Sequence, residues 1–347
     1  MPAPNQGRLN IREVARRAGV SHMTVSRVIN GSVNISPKTR AHVQSVLDEL
    51  GFHPNAMARS LAQGRSGQVG LLIESSSHYG PMSTLRAMDV AARGDGYASL
   101  SFTVKSGSAE EMREGLASLT AHDVAGLAII TSRVKTLAWL SGLTLPRATV
   151  LLGSPPLDPD DPVERSDLGR VWIDQGRGSR LAVEHLIAAG HRVIGHLAGP
   201  ADWFDAQWRR ATWESCLNEA GLVIPPVATG DWHAQSGFDA ADELLRIPDL
   251  TAVFAANDQM ALGLVHGLSL RGVRVPEDIS VVGFDDQPDS GHFLPPLTTV
   301  HQDFESLGEG GIAALLTQID GAGGGVRACV EPHLVERSST RPAPDPR

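Results

Sequence analysis

The 347-residue chain has only two cysteines and no long apolar run. Cys216 and Cys329 stand far apart and fit no metal or redox spacing, so we expect two isolated buried thiols, with a disulfide as the open alternative. No stretch approaches the roughly 18 apolar residues that a membrane span needs, and the N-terminal residues lack the apolar core of a signal peptide. These absences predict a cytoplasmic protein that does not contact a membrane.

The sequence also lacks the common patterns of catalysis. Thirteen histidines are present, but they form no metal-binding spacing, and there is no Ser/His/Asp order or phosphate-binding loop. His185 and His191 lie six residues apart on a predicted helix and its exit, which places them on different faces. The pattern argues against an enzyme and predicts neither a metal nor a cofactor.

The net charge of −9 is divided unevenly along the chain. The first 66 residues contain nine Lys or Arg and three acidic residues, which gives +6 and leaves −15 for the remainder. Affinity for phosphate groups should therefore be confined to the first 66 residues. The acidic remainder would repel DNA and keep non-specific binding low.

Residues 11–30 predict a helix-turn-helix, the motif that places one short helix in the DNA major groove. Apolar residues recur at the positions where two helices pack, Gly19 stands at the turn, and Ser21 can cap the second helix. An ordinary surface hairpin of helices is the alternative interpretation. The apolar positions are Val14, Ala18, Val20, Val25 and Val28.

From residue 68 the pattern changes to apolar strands that alternate with amphipathic helices. This repetition predicts parallel sheets covered on both faces, and the number of strands favours two doubly wound lobes over one. Strands are expected at 69–73, 99–104, 124–130, 148–152, 171–174, 193–197, 252–256 and 279–284. The residues after Arg337 are polar and rich in proline, which predicts disorder.

Eight short strings, spread over most of the chain, resemble the lactose-repressor/galactose-repressor family of transcription factors, and most of all its lactose-repressor branch. The resemblance covers residues 9 to about 340. The strings stand at 20–28, 54–62, 182–191, 197–200, 230–232, 256–263, 278–286 and 295–299.

The resemblance implies an all-α DNA-binding head followed by an α/β core of two doubly wound parallel-sheet lobes, shaped like a periplasmic binding protein. The head would span 1–54, a hinge helix or linker 55–66, the effector-binding and dimerisation core 67–340 and a disordered tail 341–347. The N-lobe would comprise about 67–173 and 301–331, and the C-lobe about 174–300 and 332–340.

The implied function is sequence-specific repression of a sugar-utilisation operon by a homodimer on double-stranded operator DNA. A sugar effector bound between the lobes, a galactoside, glucoside or oligosaccharide, would release the DNA. One alternative keeps the DNA head but has a corepressor-type effector, such as a purine or a phosphocarrier protein. The other alternative is a sugar receptor that does not bind DNA.

The resemblance also implies which residues contact DNA. Arg27 can bond guanine in two places, whereas Met23 would read shape or a thymine methyl. For Arg27 and His22, a phosphate contact is the alternative. Leu61 would enter the minor groove as a wedge. The implied DNA-binding residues are Ser21, His22, Met23, Thr24, Ser26, Arg27, Asn30, Asn55, Ala58 and Leu61.

For the sugar, the resemblance implies an aromatic face and charged groups that bond paired hydroxyls. Trp232 could instead be a core residue, Arg210 could replace Arg209, and Asp285 could cap a turn. The implied ligand-binding residues are Glu74, Arg209, Trp232, Asn257, Asp285, Gln302 and Phe304. Nearby, Trp203, Phe204 and Trp208 could stack against a second sugar ring.

The expected oligomer is a dimer formed along both lobes, with the first core helix, about 82–93, contributing. A tetramer is not expected, since residues 336–347 contain no leucine and no heptad pattern.

Overall fold

The computed structural model describes residues 11–29, 35–50, 66–74, 78–105, 108–161, 168–321 and 325–343. The chain divides into two compact units, with the boundary after residue 67. Each unit has its own hydrophobic core. No helix in these ranges is both long enough and apolar enough to cross a membrane.

The described part of the first unit contains three short helices. They are α1 (Ile11–Ala18), α2 (His22–Ile29) and α3 (Pro37–Glu49). Each helix is amphipathic, and the three apolar faces meet in one small core because none of them could stay helical alone in water. That core consists of Val14, Ala15, Ala18, Val25, Val28, Val43 and Leu47.

The turn between α1 and α2 has the geometry that the sequence predicts. Gly19 has a φ of +64°, a left-handed conformation that glycine adopts without a Cβ clash. The Val20 amide donates to the Ala15 carbonyl at 3.1 Å and closes the end of α1. The Thr24 amide donates to the Ser21 hydroxyl at 3.1 Å and caps α2. The predicted helix-turn-helix is therefore confirmed.

The second unit alternates strands with helices. Its strands are β1 (Gln68–Glu74), β2 (Ala98–Val104), β3 (Gly126–Ile130), β4 (Thr149–Leu152), β5 (Gly169–Ile173), β6 (Ile194–Ala198), β7 (Ala228–Thr229), β8 (Ala252–Ala255), β9 (Ser280–Asp285), β10 (Thr298–His301), β11 (Arg327–Val330) and β12 (His333–Val335). Its helices are α4 (Tyr79–Gly94), α5 (Ala109–Ala121), α6 (Val134–Ser141), α7 (Gln175–Ala188), α8 (Phe204–Glu219), α9 (Ala234–Asp239), α10 (Ala241–Leu244), α11 (Asp258–Leu270) and α12 (Phe304–Ile319), with a 3₁₀ helix at Ser290–His292.

The described strands form two six-stranded sheets, one in each lobe. The first has the order β11-β5-β4-β3-β1-β2 and is parallel throughout. The second has the order β12-β10-β9-β8-β6-β7, in which β12 alone runs antiparallel to its neighbour. Each sheet has an apolar cluster on both faces, so both faces are covered by helices. The predicted architecture of two doubly wound lobes is confirmed.

The chain passes between the two lobes three times. It leaves the first sheet after β5 and enters the second lobe with α7. It returns after β10, since α12 packs against the first sheet, and it crosses again between β11 and β12. The two lobes therefore share three connections.

Four short strands, β7, β10, β11 and β12, were absent from the predicted set, because polar residues interrupt them and they form no continuous apolar run such as those of β4 and β8. Both cysteines were expected to be buried. This is confirmed for Cys216 but wrong for Cys329, which is exposed on β11. The edge of a sheet leaves such a residue in contact with solvent.

The expected disorder after Arg337, including the tail assigned to 341–347, is wrong for residues 338–343. The Ser338 amide donates to the Pro296 carbonyl at 3.0 Å, and the Ala343 amide donates to the Ala189 carbonyl at 2.8 Å. Ser339 is fully buried and its hydroxyl donates to the Val281 carbonyl at 2.6 Å. Hydrogen bonds to the second lobe fix this segment despite its polar composition. The final residues, 344–347, lie outside the described residues.

Candidate functional site

The second helix of the head presents one polar face to solvent. His22, Met23 and Arg27 are exposed, and Ser26, one turn from His22, lies half-buried beside them. The opposite face of α2 carries Val25 and Val28, which are buried. Packing of the apolar face thus decides which side chains of α2 can reach a partner.

Ser21 and Thr24 have a local structural role. Their hydroxyls lie 2.9 Å apart, and the Ser21 hydroxyl also accepts from the Thr24 amide at the start of α2. The other predicted DNA-binding residues, Asn30, Asn55, Ala58 and Leu61, lie outside the described residues. The structure therefore brings four of the predicted side chains, His22, Met23, Ser26 and Arg27, to one face of a short helix.

A cavity lies between the lobes, at the carboxyl ends of the parallel strands of both sheets. Open α/β sheets bind ligands at this edge, because polar loops from several strands meet there. Six of the seven predicted ligand-binding residues line it: Arg209, Trp232, Asn257, Asp285, Gln302 and Phe304.

Arg209 is buried at the cavity wall. Its Nε donates to Gln175 Oε1 at 2.9 Å, its Nη1 donates to the Ala256 carbonyl, and its guanidinium lies 3.9 Å from the centre of the Phe284 ring. Arg210 is exposed and pairs with Glu214 at 2.8 Å, away from the cavity. The structure thus separates the two candidates, and Arg209 is the arginine at the cavity.

Four side chains from distant parts of the sequence form a closed polar ring. Arg209 contacts Gln175, Gln175 Nε2 donates to Gln302 Oε1 at 2.9 Å, and Gln302 Nε2 donates to Asp285 Oδ1 at 2.7 Å. The ring closes where Arg209 Nη2 lies 3.9 Å from Asp285 Oδ1. Gln175 begins α7 after the first crossing and Gln302 follows β10 at the second. The ring therefore links cavity residues to two of the three connections between lobes.

Burial raises the pKa of Asp285 to about 7, and the nearby Asp258 adds to this effect. The Arg209 guanidinium and the Gln302 amide act in the opposite direction because both favour the charged carboxylate. Asp258 is also fully buried, and burial raises its pKa to about 6. Asp258 accepts hydrogen bonds from the Ser290 and Thr299 hydroxyls, so it serves to hold the loop that follows Asp285.

The Trp232 ring lies against the backbone after β6. A Cβ on Gly199 would come within 2.2 Å of this ring, so only glycine permits the contact. Asn257 Nδ2 donates to the Trp232 carbonyl at 3.0 Å, while Asn257 Oδ1 caps α11. Trp232 has a φ of +76° and Asp285 a φ of +114°. Such strained backbone in non-glycine residues persists where surrounding contacts fix it, and it occurs often at binding sites.

The three aromatic residues near α8 have different locations. Trp203 lines the cavity and meets Trp232 edge-on, with ring centres 5.7 Å apart. Phe204 is buried in the core of the first lobe, and Trp208 Nε1 donates to the Pro155 carbonyl at 2.9 Å. The idea that all three could stack on a sugar is wrong for Phe204 and Trp208, since neither lines the cavity.

Glu74, the seventh predicted ligand residue, is not among the residues that line the cavity. Its Oε2 accepts hydrogen bonds from the hydroxyls of Thr131, at 2.9 Å, and Thr136. Arg133 Nη1 lies 3.7 Å from Glu74 Oε1. Internal donors thus occupy the carboxylate that the sequence assigned to ligand hydroxyls.

Several lining residues were not predicted, including His78, Ser132, Ser154 and Gln175. Each follows a strand of the first sheet within four residues, after β1, β3, β4 and β5 respectively. The rule that ligands bind at the carboxyl ends of strands could have identified them without any family resemblance. Within the described ranges, no group of three His, Cys, Asp or Glu residues could hold a metal ion.

The chain is similar in sequence and in structure to known proteins. Residues 10–55 match the model for bacterial regulatory proteins of the lacI family, and residues 183–340 match a periplasmic binding protein-like domain. The chain is 34% identical to the lactose operon repressor of Escherichia coli (strain K12) over 337 residues, which cover 96% of this chain and 91% of that protein.

Two solved structures are similar over almost the whole chain. One is the Lac repressor dimer bound to operator and the anti-inducer ONPF, with a TM-score of 0.80, 32% identity and coverage of 96% of this chain and 100% of that one. The other is the complex of the transcriptional regulator CelR with cellobiose, with a TM-score of 0.71, 33% identity and the same two coverages.

Proposed function

This chain belongs to the LacI family of bacterial regulatory proteins, and from that premise we propose that a sugar bound in the cleft releases it from its operator. It is a DNA-binding transcriptional repressor, since its relatives match both the head and the core. We propose that it controls a sugar-utilisation operon in the cytoplasm, where the chromosome lies, and that it has no catalytic activity.

The observation that carries the proposal is the chemistry of the second-lobe wall of the cavity. Trp232 offers an apolar ring for the C–H face of a pyranose, and Arg209 and Asp285 offer planar groups that bond adjacent hydroxyls. The similar CelR structure holds cellobiose, which supports a sugar as the class of effector.

The experiment is a ligand titration of the full-length protein with sugars and with a purine base, followed by tryptophan fluorescence. Trp203 and Trp232 line the cavity, so an effector that binds there should change their emission. We expect a saturable change with a sugar and none with the purine. Saturable binding of the purine alone would favour the corepressor-type alternative.

We further propose that the protein is a homodimer in which α4 contributes to the contact between subunits. Met82 and Val90 on α4 are 41% and 57% exposed, so this helix offers apolar surface to a second subunit. The similar Lac repressor structure is a dimer bound to operator. Sedimentation equilibrium at micromolar protein should give twice the chain mass of 36.8 kDa. A particle of one or four chain masses would contradict the proposal.

A further inference from the structure

Four buried polar atoms at the cavity wall have no hydrogen-bond partner among the described residues. They are Trp232 Nε1, Trp203 Nε1, Ser154 Oγ and His78 Nδ1. Buried polar atoms are almost always paired in folded proteins, so these four atoms are candidates for hydrogen bonds to a bound ligand.

Two of these atoms lie in the opposite lobe from the groups that suit the first sugar ring. Arg209, Trp232, Asn257 and Asp285 all belong to the second lobe. Ser154 and His78, in contrast, follow β4 and β1 of the first sheet. His78 also contacts the edge of Trp203, with ring centres 5.4 Å apart. Ser154 and His78 therefore give the cavity a second polar wall, on the side of the first lobe.

Trp203 comes from the second lobe but is held by the first. The Phe204 amide donates to the Ser132 carbonyl at 2.8 Å, and the Val134 amide donates to the Asp202 carbonyl at 3.0 Å. The Arg133 guanidinium lies 5.3 Å from the centre of the Trp203 ring. The segment around Trp203 thus docks on the first lobe as a short strand-like bridge.

Phe204 anchors this segment. Its side chain is 2% exposed and packs in the same apolar cluster as Leu137 and Leu140 of α6. A phenylalanine buried in the opposite lobe fixes the residue before it, because the backbone between them cannot move while the ring stays in place. Trp203 is therefore anchored at the cavity, and its indole N–H has no partner among the described residues.

We propose that Trp203, Ser154 and His78 form a subsite for a second sugar ring, so that the effector is a disaccharide or a longer oligosaccharide. This inference rests on the proposed function, since it assigns the size of the sugar that binds in the same cleft. Trp203 Nε1 donates to an oxygen of the second ring, and the Ser154 hydroxyl both donates and accepts. Phe204 is a positioning residue that acts through Trp203.

The test is isothermal titration of the full-length protein with two matched pairs, glucose with cellobiose and galactose with lactose. In at least one pair the disaccharide should bind about tenfold or more tightly than the monosaccharide. Trp203→Phe keeps an aromatic ring but removes the N–H, and Ser154→Ala removes the hydroxyl. Each should weaken disaccharide binding about tenfold and leave monosaccharide binding unchanged.

The matched control is Trp213→Phe. Trp213 is fully buried in the second lobe, and its Nε1 donates to the Ile194 carbonyl, away from the cavity. This variant loses the same atoms as Trp203→Phe but should keep the wild-type ratio of the two affinities. A fall in that ratio in Trp203→Phe alone therefore identifies the subsite and not a general loss of stability.

Variants of Phe204 provide a second, independent test of the subsite. Phe204→Ala should lower the disaccharide-to-monosaccharide affinity ratio, whereas Phe204→Leu, which keeps an apolar anchor, should restore most of it. If Phe204→Ala does not fold, the variants at Trp203 and Ser154 decide the question.

Two results would overturn the subsite. One is a wild-type protein that binds both members of the better pair equally; the other is an equal loss for both sugars in Trp203→Phe. Either result leaves the proposed sugar-responsive repressor intact. Absence of binding by all four sugars would instead defeat the proposed function, and the subsite with it.

Discussion

The head and the cleft are prepared for their partners in opposite ways. The contact face of α2 is exposed, with Met23 53% accessible, and it is held by local features such as the Ser21 cap and a small apolar core. In the cleft, Arg209 and Asp285 are buried within a ring of side chains from four separate elements. The exposed side chains of α2 can change conformation when DNA binds. The side chains of the cleft are already held in place before the sugar binds.

The difference has an energetic basis. A sugar offers few contacts, so its affinity depends on groups that need no rearrangement upon binding. DNA binding draws much of its free energy from phosphates, and that contribution tolerates side-chain movement. Substitutions in the cleft should therefore have larger and more selective effects than substitutions on the helix.

The largest effect is expected for Arg209→Ala. This change removes a buried guanidinium that contacts Gln175 and Ala256 and lies near Asp285. We expect sugar affinity to fall about 100-fold or more, because truncation of one member of a buried charged pair also leaves the other unpaired. Calorimetry measures the sugar affinity, and fluorescence anisotropy measures the operator affinity, which should remain unchanged.

Arg210→Ala is the control for that prediction, since Arg210 is adjacent in sequence but exposed and paired with Glu214. It should bind sugar like the wild type. Equal losses in the two variants would show that the cavity arginine had been assigned wrongly.

A smaller effect is expected for Arg27→Ala in the head. Loss of one bidentate contact to a base should weaken operator binding by about tenfold to 100-fold and relax the preference at one base pair. Sugar affinity should not change. Arg113→Ala, an exposed arginine on α5, removes the same charge from the other unit and should leave operator binding intact.

The alternative role for Arg27 gives a different result in the same assay. If Arg27 contacts only a phosphate, binding should weaken by the same factor on every DNA sequence, and the salt dependence should become less steep. An equal loss on operator and random DNA would contradict base recognition by Arg27.

The smallest effect is expected for the change of sugar affinity with pH. Burial raises the pKa of Asp285 to about 7, so the carboxyl is mostly protonated below that value and charged above it. Sugar hydroxyls donate to the charged form, so sugar affinity should rise about tenfold from about pH 6 to about pH 8. Calorimetry across this range checks the prediction.

Asp285→Asn serves as the reference for the pH series, because the amide does not titrate. Its affinity should be lower than that of the wild type at about pH 8 and nearly constant across the range. A pH dependence that persists in this variant would assign the titration to another group, such as His78, whose pKa is lowered chiefly by burial.

Much of the fold could be predicted because its signals are local. Gly19 at the turn and Ser21 at the helix start each depend on neighbouring residues, and the structure has both as expected. Long buried strands such as β1 and β9 were also recognisable as apolar runs. The segment 338–343 was not, because its order comes from hydrogen bonds to the second lobe and not from its own composition.

Individual residues of the cleft could be predicted from the sequence, but the contacts between them could not. Arg209 and Asp285 stand in recognisable strings, yet their ring with Gln175 and Gln302 depends on how the crossings bring four elements together. Phe204 illustrates the same limit. An aromatic residue next to cavity residues suggests stacking on a ligand, but the fold buries this side chain in the other lobe.

A sugar bound in the cleft should weaken operator binding by the head. The most direct measurement is the operator affinity of the full-length protein, by fluorescence anisotropy, with and without a saturating amount of the tightest-binding sugar. We expect the sugar to raise the operator Kd about tenfold or more, a coupling of typical size for two linked sites. An operator Kd that is unchanged or lower with the sugar bound would contradict it.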